Sequence, residues 1–117
     1  MQIGIDVGAT KIESVVLEDN GQESHRSRTS CPKDYISIIS TIKEIHDKLQ
    51  KKFGRELPIG VCHPGVHSPQ TGLVKNAPNC YWLEKKPFQN DLRKALGKEV
   101  FCENDANCFA LSEAIDG

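Results

Sequence analysis

Alternation of apolar and polar residues at the N-terminus constrains this chain more than any other feature. Ile3, Ile5 and Val7 alternate with Gln2, Gly4 and Asp6, a period of two that gives a strand one apolar face, and Ile12, Val15, Val16 and Leu17 resume after a tight break. So short a break returns the second run beside the first, and the chain opens with a hairpin. Asp19-Asn20-Gly21 then contains an Asn-Gly pair, which accepts positive φ at a two-residue turn and predicts a third, more polar antiparallel strand over about residues 24–29.

The period then changes. Tyr35, Ile38, Ile39, Ile42, Ile45, Leu49 and Phe53 recur at steps of three and four, which collects them on one helical face. Asp34 can cap the first turn and Gly54 stands where a left-handed residue ends a helix, so the predicted bounds are about 34 and 53. Leu57 to Cys62 reads as a buried strand stopped by His63-Pro64-Gly65. Residues 66–86 are dense in Gly, Pro, Ser and Asn, with a small hairpin arm at Thr71-Gly72-Leu73-Val74, and form a candidate functional loop. Tyr81 and Trp82, beside Lys85 and Lys86, are expected to anchor that loop to the core rather than to stack on bases. A short helix carrying Phe88, Leu92, Ala95 and Leu96 ends at Gly97, a strand covers about 99–102, and a last helix covers about 106–115.

Composition narrows the function classes. With 15 Lys+Arg against 16 Asp+Glu in 117 residues, net charge −1, nothing favours a polyanion, so neither nucleic acid nor a membrane surface is an expected partner. The longest uncharged apolar stretches are a few residues, far short of the roughly 20 that a membrane-crossing helix needs. Residues 1–6 lack the basic region and long apolar core of a secretory signal, which makes the cytoplasm the expected compartment. The five cysteines (Cys31, Cys62, Cys80, Cys102, Cys108) are odd in number with no repeated spacing, the usage expected of reduced thiols.

Two segments carry candidate chemistry. Asp6-Val7-Gly8-Ala9-Thr10-Lys11 crosses the first hairpin turn. A carboxylate at a strand end holds Mg²⁺ through water, Gly8 lets backbone approach a phosphate, and Thr10 and Lys11 supply a hydroxyl and a cation. It is not a P-loop, because Gly-x-x-x-x-Gly-Lys-[Ser/Thr] is absent and the segment leads into a strand. Taken alone it reads more readily as a plain Gly-containing β-turn. The second segment, Glu103-Asn104-Asp105-Ala106-Asn107, lies between a predicted strand and a predicted helix, where sites collect in α/β sheets and where an acidic residue also caps a helix. If the first and last strands are neighbours, Asp6 and Asp105 face a common cleft, one anchoring metal and phosphate, the other taking a proton from a hydroxyl. His63, His67 and Cys62 fit no common zinc spacing, so no zinc site is expected within this chain. Gly-x-Ser-x-Gly is absent and no covalent nucleophile stands out.

Together, Ile3-Gly4-Ile5-Asp6-Val7-Gly8-Ala9-Thr10-Lys11, the Pro64-Gly65 turn, and the run Glu103-Asn104-Asp105-Ala106-Asn107-Cys108-Phe109-Ala110-Leu111-Ser112-Glu113 resemble the ROK family of bacterial sugar kinases and repressors, along the whole chain. Ser68-Pro69, Thr71-Gly72, Val74-Lys75-Asn76-Ala77 and Trp82-Leu83 are most similar to its fructokinase or mannokinase branch, with N-acetylglucosamine kinase close behind. The resemblance implies an α/β lobe of the ribonuclease-H-like, actin and hexokinase fold, with a mixed five-stranded sheet and flanking helices. It implies phosphoryl transfer from ATP with Mg²⁺ to a hexose, foremost fructose at C6, with Asp105 as general base. By the same carry-over Asp6, Gly8, Thr10 and Lys11 line the phosphate and Mg²⁺ region, Asp6 being the metal residue, while Gly65, Asn76, Asn79, Asn104 and Asp105 face the sugar. The family's second lobe, with a sugar motif, a zinc site and much of the adenine pocket, has no counterpart in residues 1–117, so the chain is expected to be an N-terminal lobe that is inactive alone and whose parent is a homodimer. A sugar-sensing repressor of the same family is the non-enzyme alternative, and a metal-dependent nuclease of related fold is a further rival that the near-neutral charge disfavours. Two positions depart from the family pattern: Ala9 stands where Gly is usual, and His63 where an apolar residue precedes Pro-Gly.

Overall fold

The computed structural model describes residues 1–77 and 80–104. The opening hairpin forms from β1 (Gln2–Val7) and β2 (Lys11–Leu17), and β3 (Glu23–Ser30) continues the meander. After α1 (Tyr35–Phe53) come β4 (Ile59–His63), a two-stranded arm of β5 (Val66–His67) and β6 (Val74–Lys75), a 3-10 turn at Tyr81–Leu83, α2 (Phe88–Leu96) and β7 (Phe101–Asn104). Five strands make one sheet in the order β3-β2-β1-β4-β7, antiparallel from β3 to β1 and parallel from β1 to β7. The expected mixed α/β sheet is therefore present. The predicted helix over 106–115 lies outside the described residues.

The periodicities explain the layers. Ile3, Ile5 and Val7 of β1, Ile12 and Val16 of β2, and Ile59 and Val61 of β4 are all buried and share the sheet face covered by α1, whose Ile38, Ile42 and Leu49 are buried against it. Asp34 caps α1 by accepting the Ser37 N–H at 2.9 Å, and Gly54 ends it at φ 66°. Phe88 and Leu92 of α2 are fully buried beside α1, each contributing on the order of 2 kcal/mol of transfer free energy. Tyr35 of α1 ties the two helices by donating its hydroxyl to Asp91 at 2.7 Å.

Three boundaries differ from the sequence reading. The β2–β3 connection spans residues 18–22 rather than two residues, because the register shifts between Val16 and Leu17 and Glu18 donates to Gln22 O at 2.8 Å. β4 begins at Ile59, after Pro58, which has no N–H to give the ladder. β7 pairs from Phe101, opposite Gly60, so it runs two residues beyond the predicted end. The expectation of reduced thiols holds for Cys31, Cys80 and Cys102 and fails at Cys62, which is disulfide-bonded. A disulfide depends on how closely two Cα atoms approach in space, which spacing along the chain does not encode.

Candidate active site

Parallel pairing of β1, β4 and β7 brings three strand ends to one sheet edge. Asp6 pairs with Cys62, and Cys62 with Glu103, so these three occupy one row. His63 and Asn104 form the next. Asp6 and Glu103 are thus two strand spacings apart, about 10 Å at the backbone. Both are exposed, and the alternation of the strands sets them on the face opposite α1. Asn104 is half-buried at the very end of β7. Asp105, the candidate base, and Asn79 lie outside the described residues.

The hairpin turn beside Asp6 is closed by the Gly8 N–H, which donates to Lys11 O at 2.8 Å. Neither Gly8 nor Ala9 has positive φ, so the alanine that replaces the family's usual glycine is accommodated in ordinary backbone. Its methyl packs partly against the core. A Cβ at Gly8 would meet Lys11 O at 3.1 Å, which keeps that position small. Thr10 is held by its carbonyl, which accepts the Cys31 N–H at 2.9 Å, while Thr10 and Lys11 are exposed at the turn.

Across the sheet edge, Gly65 does require its glycine. It sits at φ 76°, and a Cβ there would lie 2.5 Å from Lys75 O and 3.1 Å from Ala77 Cβ. The Pro64-Gly65 turn therefore rests directly on β6, next to Asn76, itself at φ 60°. Gly65, Asn76 and Asn104 thus belong to one end of the fold. Ala77, just after Asn76, is held by its N–H donating to Glu84 Oε1 at 2.6 Å. Trp82 packs partly against the core, as expected of an anchor, whereas Tyr81 is 71% exposed.

The feature that sequence reasoning missed is the setting of the histidines. His63 is 0% exposed, with Nδ1 donating to Pro64 O at 2.8 Å and Nε2 lacking a partner among the described residues. Its ring meets His67 edge-on at 4.8 Å and Phe88 at 5.5 Å. Burial lowers the His63 pKa below its ordinary value, against smaller raising effects of the Pro64 carbonyl and Glu103. His67 is lowered to about 4, by burial first and then by His63 and Arg93. The only sequence signal was the polar residue in the apolar alternation Ile59, Val61, His63.

A model of the ROK family matches residues 2–117. The chain belongs to the ROK family. It is 41% identical over 117 residues to an N-acetyl-D-glucosamine kinase of Haemophilus influenzae, with 99% of this chain and 38% of that protein aligned. Among solved structures it is similar to a ROK hexokinase from Thermus thermophilus, with a TM-score of 0.82 at 29% identity, covering 96% of this chain and 37% of that one. A ROK family glucokinase from Streptomyces griseus in complex with glucose and AMPPNP superposes with a TM-score of 0.79 at 26% identity, over 93% of this chain and 34% of its own. These neighbours share the actin and hexokinase-like fold of this ROK chain, which spans about 38% of the length of the curated relatives it matches.

Proposed function

We propose that this ROK chain supplies the phosphate-facing and sugar-facing residues of an ATP-dependent hexose kinase. The supporting observation is that parallel pairing carries the Asp6–Lys11 hairpin and the Asn104 strand end to one sheet edge, in a family whose relatives are named as sugar kinases. Asp6 suits Mg²⁺: an exposed hard carboxylate at a strand end holds the ion through its waters. Bound there, the ion would neutralise charge on the phosphate oxygens. Lys11 and the Thr10 hydroxyl face the same phosphates from the turn.

In this reading Gly65, Asn76, Asn79 and Asn104 orient the sugar, and Asp105 accepts the proton of the attacking hydroxyl. The new bond joins that oxygen to the γ-phosphorus as the bond to the β–γ bridging oxygen breaks, and ADP leaves. A second lobe must close over the site to exclude water, so the 117-residue chain alone is inactive. The fructose specificity implied by the loop motifs has less support than N-acetyl-D-glucosamine, which the names of the curated relatives favour. The test is ADP release by the two-lobed protein on fructose, mannose, glucose and N-acetylglucosamine, with and without Asp105→Asn. The substitution should lower the rate on the preferred sugar by about 10²-fold or more. An intact rate rejects Asp105 as the base, and no turnover on any of the four rejects the kinase reading.

A further inference from the structure

Helix α2 begins without a cap of its own. Pro87 precedes it and offers no side-chain acceptor, so the first N–H groups need partners from elsewhere. His67, at the end of β5, provides one: its Nε2 accepts the Gln89 N–H at 3.2 Å. The Gln89 side chain in turn accepts the Cys102 N–H of β7 at 3.1 Å. His67 also pairs with Val74 of β6, the strand on which the Gly65 turn rests. One imidazole thus joins β5 to α2, and through Gln89 to the strand that ends at Asn104, while β6 is held by backbone bonds just ahead of the helix, Val74 donating to Lys86 O at 2.9 Å and accepting from the Lys85 N–H at 2.7 Å.

This bond exists in one protonation state only. A neutral imidazole has a lone pair to offer, whereas an imidazolium has two N–H donors and no acceptor. A donor aimed at the Gln89 N–H is repulsive, and the positive end of the helix dipole adds to the repulsion. The neighbouring groups on the other elements agree. His63 of β4 packs edge-on at 4.8 Å, and Arg93 of α2 disfavours a second cation; Glu103 of β7 acts on His63 in the opposite sense.

We propose that His67 is a positioning residue that pins β5, and with it the neighbouring Gly65 turn, to the N-terminus of α2, and that protonation of His67 releases this pin. That the released turn faces a sugar rests on the kinase reading above. The sign follows from the direction of the shift. With a folded pKa below the unfolded 6.5, the neutral pinned form contributes its full stability above pH 6.5, loses it as pH falls, and is itself protonated near 4.

The experiment is NMR on the 117-residue chain between pH 7.5 and 3.5, following the His67 ring protons and the exchange protection of the Gln89 amide. The ring should titrate near 4, and protection should fall in step by about tenfold, the worth of one hydrogen bond. His67→Gln, whose amide oxygen accepts without titrating, should keep protection throughout, and His67→Leu should lack it at every pH. Protection that ignores the ring titration, or that survives in His67→Leu, overturns the pin. In the two-lobed kinase, KM for the sugar should rise at acid pH, and His67→Gln should remove that rise while leaving the pH profile of kcat unchanged. A flat KM overturns the link to the sugar turn. An inactive protein with the Gln89 signal intact rejects the kinase reading and keeps the pin.

Discussion

Replacing Gly65 with alanine separates two costs that usually arrive together. The backbone at φ 76° forces the new residue into the left-handed region, at about 1–2 kcal/mol. The added methyl then lies 2.5 Å from Lys75 O, a backbone atom that cannot rotate away, and 3.2 Å from Val74 Cγ1. Relief requires β6 to move, an overpacking cost of about 1–3 kcal/mol. The sum, about 2–5 kcal/mol, is a large share of the stability of a small domain. Gly97→Ala is the control: φ is 70°, but nothing among the described residues lies within 4 Å of the new Cβ, so only the first cost applies. Urea unfolding followed by circular dichroism should place the Gly65→Ala midpoint well below that of Gly97→Ala at equal slope. Equal midpoints would mean that the turn does not rest on β6, and the placement of Gly65 beside Asn76 would lose its basis.

Two further outcomes follow from buried groups. Lys98 donates to Gln50 Oε1 at 2.9 Å and to Leu57 O at 2.5 Å, and sits 3.1 Å from the buried His46 Nε2, so Lys98→Met should cost about 1–3 kcal/mol in thermal or urea unfolding. Its ion pair with the exposed Glu56 adds little, and Glu56→Gln should be nearly silent in the same assay. Cys102 is pushed up to about 12 by burial and Cys31 is raised by the same cause, so both should resist alkylation at pH 8 until the chain unfolds, as mass spectrometry of the labelled protein would report.

The helix over Tyr35–Phe53, its caps at Asp34 and Gly54, and the β1–β2 hairpin were legible in the sequence because each depends on contacts within a few residues: a period of 3.6, a period of two, a capping carboxylate. The Asp6 hairpin and the Asn104 strand end were legible as candidates for the same reason, since glycine, carboxylate and amide at a strand terminus are local signals. Their alignment was not, because sequence places Asp6 and Asn104 far apart and only the parallel ladders through β4 set them on one edge.

The histidines mark the boundary most clearly. The alternation Ile59, Val61, His63 set the first ring on the buried face, but nothing at 63 or 67 showed that it would bond the Pro64 carbonyl or that the second ring would cap a helix that starts 21 positions later. Local sequence determined which segments become strands and helices, because backbone periodicity and capping act over one or two turns of chain. Tertiary structure alone decided which polar groups lose water and which lone pair meets which N–H, since burial and hydrogen bonding between distant segments come into being only when the layers close.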